Sequence, residues 1–229
     1  MTFPIGPIVD ATAARRPERV TLQGRFATLV PLAPEHAEDI YAPAHGPERE
    51  ALWAYMGDGP FGCLDDFRAS IAAKATATDA VFYAVTAPGG TTLGYLSLMR
   101  IDQPNRVIEI GNILYTPPLQ RTPAATEAIY LAAKYVFEDL GYRRFEWKCN
   151  NLNAPSKRAA VRFGFAFEGL FRQHMIIKGR NRDTAWYAML DGDWPARKAA
   201  FERWLAPGNF DAAGKQKVSL SSLDDTAGG

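Results

Sequence analysis

The stretch that decides the fold is YTPPLQRTPAATEAIYLAAKYVFEDLGY, from Tyr115 to Tyr142. Two prolines end one element, a polar and basic turn follows, and Thr122-Pro123 opens a run in which apolar residues recur with helical spacing. Threonine is a favourable N-cap, and proline suits the first helical position because that position has no intrahelical partner for an amide. The pattern predicts a helix of about five turns that ends before Gly141.

The start of this helix is also a candidate anion site. Free amides near Ala124 and Ala125, together with the positive end of the helix dipole, attract phosphate. Gln120 and Arg121 add side-chain donors beside Thr122. A well-capped helix that only packs on a core would explain the same residues, so this element alone leaves both interpretations open.

The strand before the turn, VIEIGNILY, contains a carboxylate between apolar residues. Period-two alternation puts Glu109 and Ile113 on one face and Ile108 and Leu114 on the other, and both faces are mostly apolar. A carboxylate in such a strand must be paired, reach solvent through a cleft or be protonated. Because desolvation raises its pKa toward the range useful to a general base, Glu109 is a candidate catalytic base, with a structural ion pair to an arginine as the alternative.

A third segment, CNNLNAPSKRAAVRFGF, predicts a short helix that Gly164 ends. Asn153 can cap this helix, and Ser156 in its first turn can direct a hydroxyl toward the strand ends. A purely capping role explains Asn153 fully but does not explain Ser156.

The rest of the chain predicts a mixed α/β (α+β) fold with helices on both faces of one sheet. An antiparallel meander precedes the quoted stretch, and a strand, a helix and a closing hairpin follow it. We expect an N-terminal arm over residues 1–18, a single domain over 19–206 and a mobile tail over 207–229.

Composition limits the function. The 229 residues carry a formal net charge of +1, which gives no field that would recruit nucleic acid or a membrane surface. The clusters Arg143-Arg144 and Lys178-Gly179-Arg180 are predicted to be solvated. Two separated cysteines and three histidines without ligand spacing predict no metal site. The absence of a signal peptide or a membrane-spanning run predicts a cytoplasmic protein.

The segment WAYMGDGPF is the candidate acceptor-binding loop. Its aromatic residues Trp53, Tyr55 and Phe61, its glycine hinges and its one acid suit a lid over an amine. The same rings could instead hold the N-terminal helices on the sheet. His174, on the closing hairpin, could contact an acceptor or be an ordinary surface or core histidine.

The order of IEIGNILY, QRTPAATEA and LNAPSKRAAVRFGF resembles the GNAT superfamily of acyl-CoA-dependent N-acetyltransferases, in particular the branch that includes ribosomal-protein N-terminal acetyltransferases. The similarity covers roughly residues 20–190. In this family the turn has the form Gln/Arg-x-x-Gly-x-Gly/Ala and holds the CoA pyrophosphate with backbone amides. Gln120 and Ala125 match that form. Pro123 stands where the family usually has glycine, and proline has no amide to donate.

The resemblance implies a central, mostly antiparallel, splayed sheet and direct transfer of an acetyl group from acetyl-CoA to a primary amine in a ternary complex. It implies that Glu109 is the general base and that Ser156 donates a proton near the CoA sulfur. The implied CoA contacts are Ile113, Leu114, Tyr115, Gln120, Arg121, Thr122, Ala124, Ala125, Asn153 and Ser156.

The acceptor would be a small-molecule amine or a protein N-terminus, and the protein would be a monomer or a homodimer. A non-catalytic CoA-binding or ligand-sensing protein of the same fold is the alternative, and Pro123 favours it. The acceptor's identity and the choice between acetyl and another acyl donor are not determined by the sequence.

Overall fold

A computed structural model describes residues 3–224 as one eight-stranded sheet with helices on both faces. The strand order is β1-β2-β3-β4-β5-β6-β8-β7, and neighbours are antiparallel except β5 and β6, which are parallel. This confirms the predicted mixed, mostly antiparallel sheet. The strands are β1 (Leu22–Gln23), β2 (Thr28–Pro31), β3 (Ala80–Thr86), β4 (Thr92–Asp102), β5 (Val107–Tyr115), β6 (Arg144–Asn150), β7 (Ala166–Ile177) and β8 (Arg180–Leu190).

The helices divide between two hydrophobic clusters, one on each face of the sheet. Their bounds are α1 (Ala37–Ala44), α2 (Glu50–Trp53), α3 (Leu64–Ala75), α4 (Pro123–Lys134), α5 (Ala154–Arg162), α6 (Trp194–Leu205) and α7 (Leu220–Asp224). The larger cluster joins Ile110 and Phe145 of the sheet to Ile129 of α4 and Phe201 of α6. The smaller one packs α1–α3 over β3 and β4. On this second face the helices therefore lie over β2–β4 and over Leu114 at the end of β5.

The predicted helix after the turn is confirmed. Thr122 is the N-cap, and its Oγ1 accepts a hydrogen bond of 3.2 Å from the amide of Ala125. The α-helical part is followed by a π-helical segment, Tyr135–Asp139, and the chain leaves at Gly141 with φ of +76°. Glycine adopts this left-handed conformation without the steric cost of a Cβ atom.

A buried carboxylate fixes the N-terminal hairpin to α4. Glu127, which is 5% exposed, accepts hydrogen bonds from the backbone amides of Arg25 (2.9 Å), Phe26 (2.5 Å) and Ala27 (2.8 Å). A Cβ atom at Gly24 would lie 2.5 Å from this carboxylate, so the turn requires glycine. Gly24 thus lies in the turn of the β1–β2 hairpin, and a residue from α4 holds that hairpin in place.

The described parts of both terminal segments contact the domain. The amide of Ala14 donates to the carbonyl of Gln103, and Phe210 packs against Trp204 and Phe26. Leu220 of α7 is 2% exposed. The predicted boundaries at residues 18 and 206 and the predicted mobility of the tail stay predictions, and residues 1–2 and 225–229 lie outside the described part.

No helix within residues 3–224 has the length and apolar character needed to cross a membrane.

Candidate active site

The two parallel strands separate half-way along their length and leave a cleft. β5 and β6 pair from Val107↔Arg144 to Ile110↔Trp147, and no pair follows. On its other side β5 remains paired with β4 as far as Tyr115. The backbone of residues 112–115 therefore has one unpaired edge, which can accept an extended ligand as an added strand.

A bulge at Asn112 reverses the side chains that follow it. Asn112 has φ of +49°, and the β4–β5 register shifts at this point. Beyond the bulge, Leu114 joins the cluster under α1–α3, whereas Ile113 and Tyr115 pack against the other cluster. The predicted alternation is thus correct only up to Gly111, and the placement of Ile113 and Leu114 was wrong. One extra residue in a strand exchanges the faces of all later residues.

Glu109 lies just below the point where the strands separate. It is 4% exposed, and its Oε2 lies 3.1 Å from Lys148 Nζ and 3.4 Å from an Arg100 guanidinium nitrogen. Within the described residues, neither contact has the alignment of a hydrogen bond, so Oε2 is buried without a hydrogen-bond partner. Burial raises the pKa of Glu109, and the two cations oppose that rise. The carboxylate is thus paired with cations and still able to accept a hydrogen bond.

Lys148 connects Glu109 to a chain of charges on the same face. Its Nζ also lies 2.6 Å from Glu146, which is the parallel neighbour of Glu109. Arg144 contacts Glu146 at 2.7 Å and also pairs with Glu168 on β7. The predicted solvation of Arg143-Arg144 was therefore wrong for Arg144, which is held by two carboxylates.

The turn before α4 retains some free donors. Arg121 adopts φ of +62° and its side chain is exposed, whereas the side-chain amide of Gln120 donates to the Tyr115 carbonyl at 2.8 Å. Thr122 occupies the amide of Ala125, and Pro123 has none. The amides of Arg121 and Ala124 have no partner among residues 3–224. Two amides and one guanidinium group are thus available to an anion, which fits a pyrophosphate held by fewer amides than the family form provides.

The start of α5 lies at the end of β6, on the other wall of the cleft. Asn153 caps this helix through a 3.1 Å hydrogen bond from the Ser156 amide. The Ser156 hydroxyl accepts a 3.0 Å hydrogen bond from the indole of Trp147 and can itself donate one hydrogen bond, for which the sulfur of Cys149 lies within reach. Cys149 next to it is buried, and this burial raises the pKa of the thiol, as expected for a core cysteine. The sequence therefore placed Ser156 correctly beside the strand end.

The loop after α2 is partly buried and partly exposed. Trp53 is 1% exposed, donates to the Ala44 carbonyl and packs among the rings of α1 and α3, as the packing interpretation predicts. The ring centroids of Phe61 and Trp53 are 5.6 Å apart. Tyr55, in contrast, is 36% exposed and donates a hydrogen bond to the Leu152 carbonyl. A contact between Trp53 and an acceptor stays a prediction, and it would require the loop to rearrange.

The same loop is tied to the closing hairpin. Lys178 Nζ donates to the backbone carbonyls of Trp53 (3.0 Å) and Gly59 (2.6 Å). Lys178 is exposed, as predicted, and its ammonium group is in addition held by these two carbonyls. Tyr55 adds a hydrogen bond to the Leu152 carbonyl. The loop therefore forms a bridge between the N-terminal helices and the closing hairpin, beside the open part of the sheet.

The sequence interpretation missed Arg100, Lys148 and Arg182. Period-two counting in RFEWKCN could have found Lys148, because it places Glu146 and Lys148 opposite the apolar Phe145 and Trp147. Arg100 and Arg182 gave no signal, because they lie 9 residues before and 73 residues after Glu109 in the chain and converge only through sheet pairing. His174, which was predicted, lies on the same face beside Thr184.

Residues 3–224 contain no group of three or more histidine, cysteine, aspartate or glutamate side chains that could hold a metal ion.

Comparison with known proteins agrees with this geometry. The family model described as an acetyltransferase (GNAT) domain matches residues 27–166, which include the meander, the separating strands, α4 and α5. The chain belongs to the GNAT family of acetyltransferases. A crystal structure of a GCN5-related N-acetyltransferase from Brucella melitensis is similar to it, with 45% identity, a TM-score of 0.91, and coverage of 94% of this chain and 99% of that one.

Two further relatives extend the GNAT comparison. The structure of a probable GNAT acetyltransferase from Chromobacterium violaceum has 37% identity and a TM-score of 0.78, and the match covers 85% of this chain and 98% of that one. The Bacillus subtilis protein described as "Putative ribosomal N-acetyltransferase YdaF" is 29% identical over 48% of this chain. The chain spans 59% of that relative's length, somewhat less than two thirds.

Proposed function

We propose that this GNAT protein is an N-acetyltransferase that moves an acetyl group from acetyl-CoA to a primary amine by direct transfer in a ternary complex. The observation that carries the proposal is the position of Glu109. A buried carboxylate with one unsatisfied oxygen lies at the mouth of a strand cleft, and α4 begins beyond the far end of β5 while α5 begins at the end of β6.

Acetyl-CoA would supply the activated acyl group as a thioester. The unpaired edge of residues 112–115 suits its pantetheine arm, and the free amides of Arg121 and Ala124 with the Arg121 side chain suit its pyrophosphate. Asn153 and Ser156 lie on the opposite wall, at the first turn of α5.

An amine attacks a carbonyl carbon only when it is neutral, so a base must take its proton. Glu109 would accept that proton on its carboxylate, directly or through a water molecule, and such catalysis contributes about 10²–10⁴-fold. A backbone amide of Ile113 or Leu114 would stabilise the charge that develops on the carbonyl oxygen. Ser156 would donate to the leaving sulfur, which matters less because a thiol with a pKa of about 8.5 is already a fair leaving group.

Two observations favour the alternative, a CoA-binding protein without turnover. Pro123 removes one amide from the turn, and the cations Lys148 and Arg100 stabilise the ionised form of Glu109, which makes it a weaker base. The raised pKa of Glu109 favours the enzyme, because burial outweighs these cations.

A thiol-release screen of several acyl-CoAs against a panel of amines tests the proposal, with the melting temperature measured in parallel with and without each acyl-CoA. The enzyme should release CoA only when an acceptor is present. A melting shift with no release from any pair would favour the ligand-sensing alternative. The absence of both would contradict both interpretations.

The acceptor belongs to one of two classes in this proposal, a protein N-terminus or a small amine. The description of the Bacillus subtilis relative points to a ribosomal protein as one candidate. A cytoplasmic location and a monomeric or homodimeric state complete the proposal.

A further inference from the structure

A group of hydrogen-bond donors lies on β7 and β8, on the same face of the sheet as Glu109. We call Arg182, Thr184, Trp186 and His174 the donor cluster. Period-two alternation along β8 puts its three β8 members on one face, and Trp186 is the direct neighbour of Lys148 across the β6–β8 pairing. Lys148 Nζ lies 3.8 Å from the centre of the Trp186 ring, which places this cluster beside the carboxylate network.

Thr184 organises the cluster. Its Oγ1, in a side chain with no solvent exposure, accepts from Arg182 Nε at 3.1 Å and lies 3.0 Å from His174 Nδ1. The hydroxyl oxygen already accepts from the guanidinium group, and its proton can point to Nδ1. In the tautomer that satisfies this contact with Nδ1 as the acceptor, Nε2 of His174 carries the proton. The histidine then presents a donor.

The histidine is also kept neutral. Burial lowers the pKa of His174, and the charges of Arg100, Arg182 and Lys148 lower it further. A neutral imidazole with Nδ1 accepting adds an N–H group without adding a positive charge.

The remaining donors have no acceptor among residues 3–224. The indole nitrogen of Trp186 is buried without a hydrogen-bond partner among the described residues. Arg182 is partly buried and forms no ion pair with a carboxylate of residues 3–224, and its hydrogen bond to Thr184 uses only Nε. Desolvation lowers the pKa of Arg182, the expected effect for a cation without a counter-ion beside it. Buried polar groups normally have partners, so these donors indicate a ligand that supplies acceptors.

The charge around the donor cluster agrees with an anionic ligand. Three cations, Arg100, Lys148 and Arg182, act on this region against the two carboxylates Glu109 and Glu146. Such a face disfavours a polyamine or an aminoglycoside-like acceptor, because each further positive charge would be repelled. Arg182 is close enough to Glu109 for that carboxylate to affect its pKa. One small ligand could therefore place an anionic group at Arg182 and an amine at Glu109.

We infer that the acceptor is a primary amine that also carries a carboxylate, which the donor cluster binds while the amine lies at Glu109. This inference rests on the proposed function and narrows its acceptor. A free amino acid and a peptide whose first residue is acidic share this chemistry.

Matched acceptors test the inference: an α-amino acid against its α-amide, and a peptide that begins with Asp against one that begins with Asn. The carboxylate-bearing member of at least one pair should have a kcat/KM about tenfold or more above its neutral partner, the size expected for a hydrogen bond to a charged group. The pair that shows the difference identifies the source of the carboxylate. Equal kcat/KM values in both pairs, or a preference for a diamine, would overturn the inference.

Variants connect the preference to the cluster. Arg182→Gln should reduce the ratio of kcat/KM between the acid and the amide to near one, and Arg182→Lys should retain part of it. Arg180→Gln removes an exposed arginine from the start of the same strand and should leave the ratio unchanged. An equal loss for the acid and the amide in Arg182→Gln would assign Arg182 a structural role or a role at the thioester, and would contradict acceptor recognition.

A binding measurement separates this inference from the proposed function. Calorimetry with CoA present should show that the N-acetyl amino acid or the N-acetyl Asp-peptide binds about tenfold or more tightly than its neutral counterpart, and that Arg182→Gln removes the difference. If no amine is acetylated but this difference appears, the donor cluster is an anion site in a protein without turnover, and only the proposed function fails. If amines are acetylated and no binding difference appears, only the inference fails.

Discussion

The Nζ atom of Lys148 lies 3.1 Å from Oε2 of Glu109, and both side chains are almost fully buried on neighbouring parallel strands. Lys148 shares its charge with Glu146 at 2.6 Å. An ion pair this deep balances the cost of desolvation against attraction. Removal of Lys148 would leave Glu109 and Glu146 without their closest shared cation, whereas Lys148 would keep Glu146 as a partner if Glu109 were neutralised. The pair therefore sets how strongly Glu109 holds a proton.

Replacement of the base should abolish turnover and leave the fold intact. Glu109→Gln should lower kcat by about 10²-fold or more, because the amide cannot accept the amine's proton. The shift in melting temperature caused by acetyl-CoA should persist. Glu168→Gln, which changes a carboxylate at the outer end of the same network, serves as the control and should keep its kcat. Unchanged turnover in Glu109→Gln would remove Glu109 from the mechanism.

The same variant should make the protein more stable at neutral pH. Burial raises the pKa of Glu109 in the folded state, so its favourable contribution to folding exists at low pH and is lost as pH rises through that raised pKa. Glutamine imitates the protonated form and avoids the cost of a buried charge. The melting temperature of Glu109→Gln at neutral pH should exceed that of the parent protein. A lower value would mean that the pairing with Lys148 and Arg100 outweighs burial.

The pH below which kcat/KM falls should depend on Lys148. Activity requires ionised Glu109, so kcat/KM should fall as pH decreases through its pKa, at a higher pH than for an ordinary glutamate. Lys148→Met removes a charge that lowers this pKa, so the fall should move to still higher pH. The variant should also lose about 3–5 kcal/mol of unfolding free energy, measured in urea. A fall that does not move would show that another group titrates.

The turn before α4 should gain affinity for CoA when its missing donor is restored. Pro123→Gly supplies an amide at the first helical position, so the Kd of CoA should decrease severalfold. Arg121→Gln should increase it, because an exposed guanidinium group is lost at the same place. Pro118→Ala, at an exposed position of the same turn, is the control and should leave the Kd unchanged. Titration calorimetry measures all four proteins, and equal Kd values throughout would argue against an anion site here.

The buried carboxylate of Glu127 should stabilise the fold. Glu127→Gln replaces one acceptor oxygen with a donor that faces the amides of Arg25, Phe26 and Ala27, so unfolding free energy should fall by about 2–3 kcal/mol. Gly24→Ala should also destabilise, since its Cβ would lie 2.5 Å from that carboxylate. Glu48→Gln at an exposed position is the matched control. Urea unfolding of these variants measures each effect, and a neutral Glu127→Gln would show that the amides find other partners.

The bridge over the open face should affect the acceptor more than acetyl-CoA. Lys178→Ala removes the hydrogen bonds to the Trp53 and Gly59 carbonyls, so the loop should exchange its amide hydrogens faster. The KM of the acceptor should rise more than the KM of acetyl-CoA. Lys217→Ala, at an exposed lysine of the C-terminal segment, is the control. The opposite order of effects on KM would count against a role for this loop in acceptor binding.

The local sequence predicted what depends on neighbours in the chain. The cap at Thr122, the stop at Gly141, the meander and the carboxylate within an apolar strand follow from propensity, capping and periodicity, which act over a few residues. Ser156 was placed correctly for the same reason, because a cap at Asn153 fixes the first turn of α5.

Only the tertiary structure decided which groups meet. The bulge at Asn112 exchanged the faces of Ile113 and Leu114, because strand register depends on the partner strand as well as on local alternation. Lys148 lies beside Glu109 because a parallel pairing unites strands that a whole helix separates in the sequence. The donor cluster likewise arises from the pairing of β7, β8 and β6. Charges far apart in sequence acquire their pKa values and partners from packing, and no local pattern encodes that.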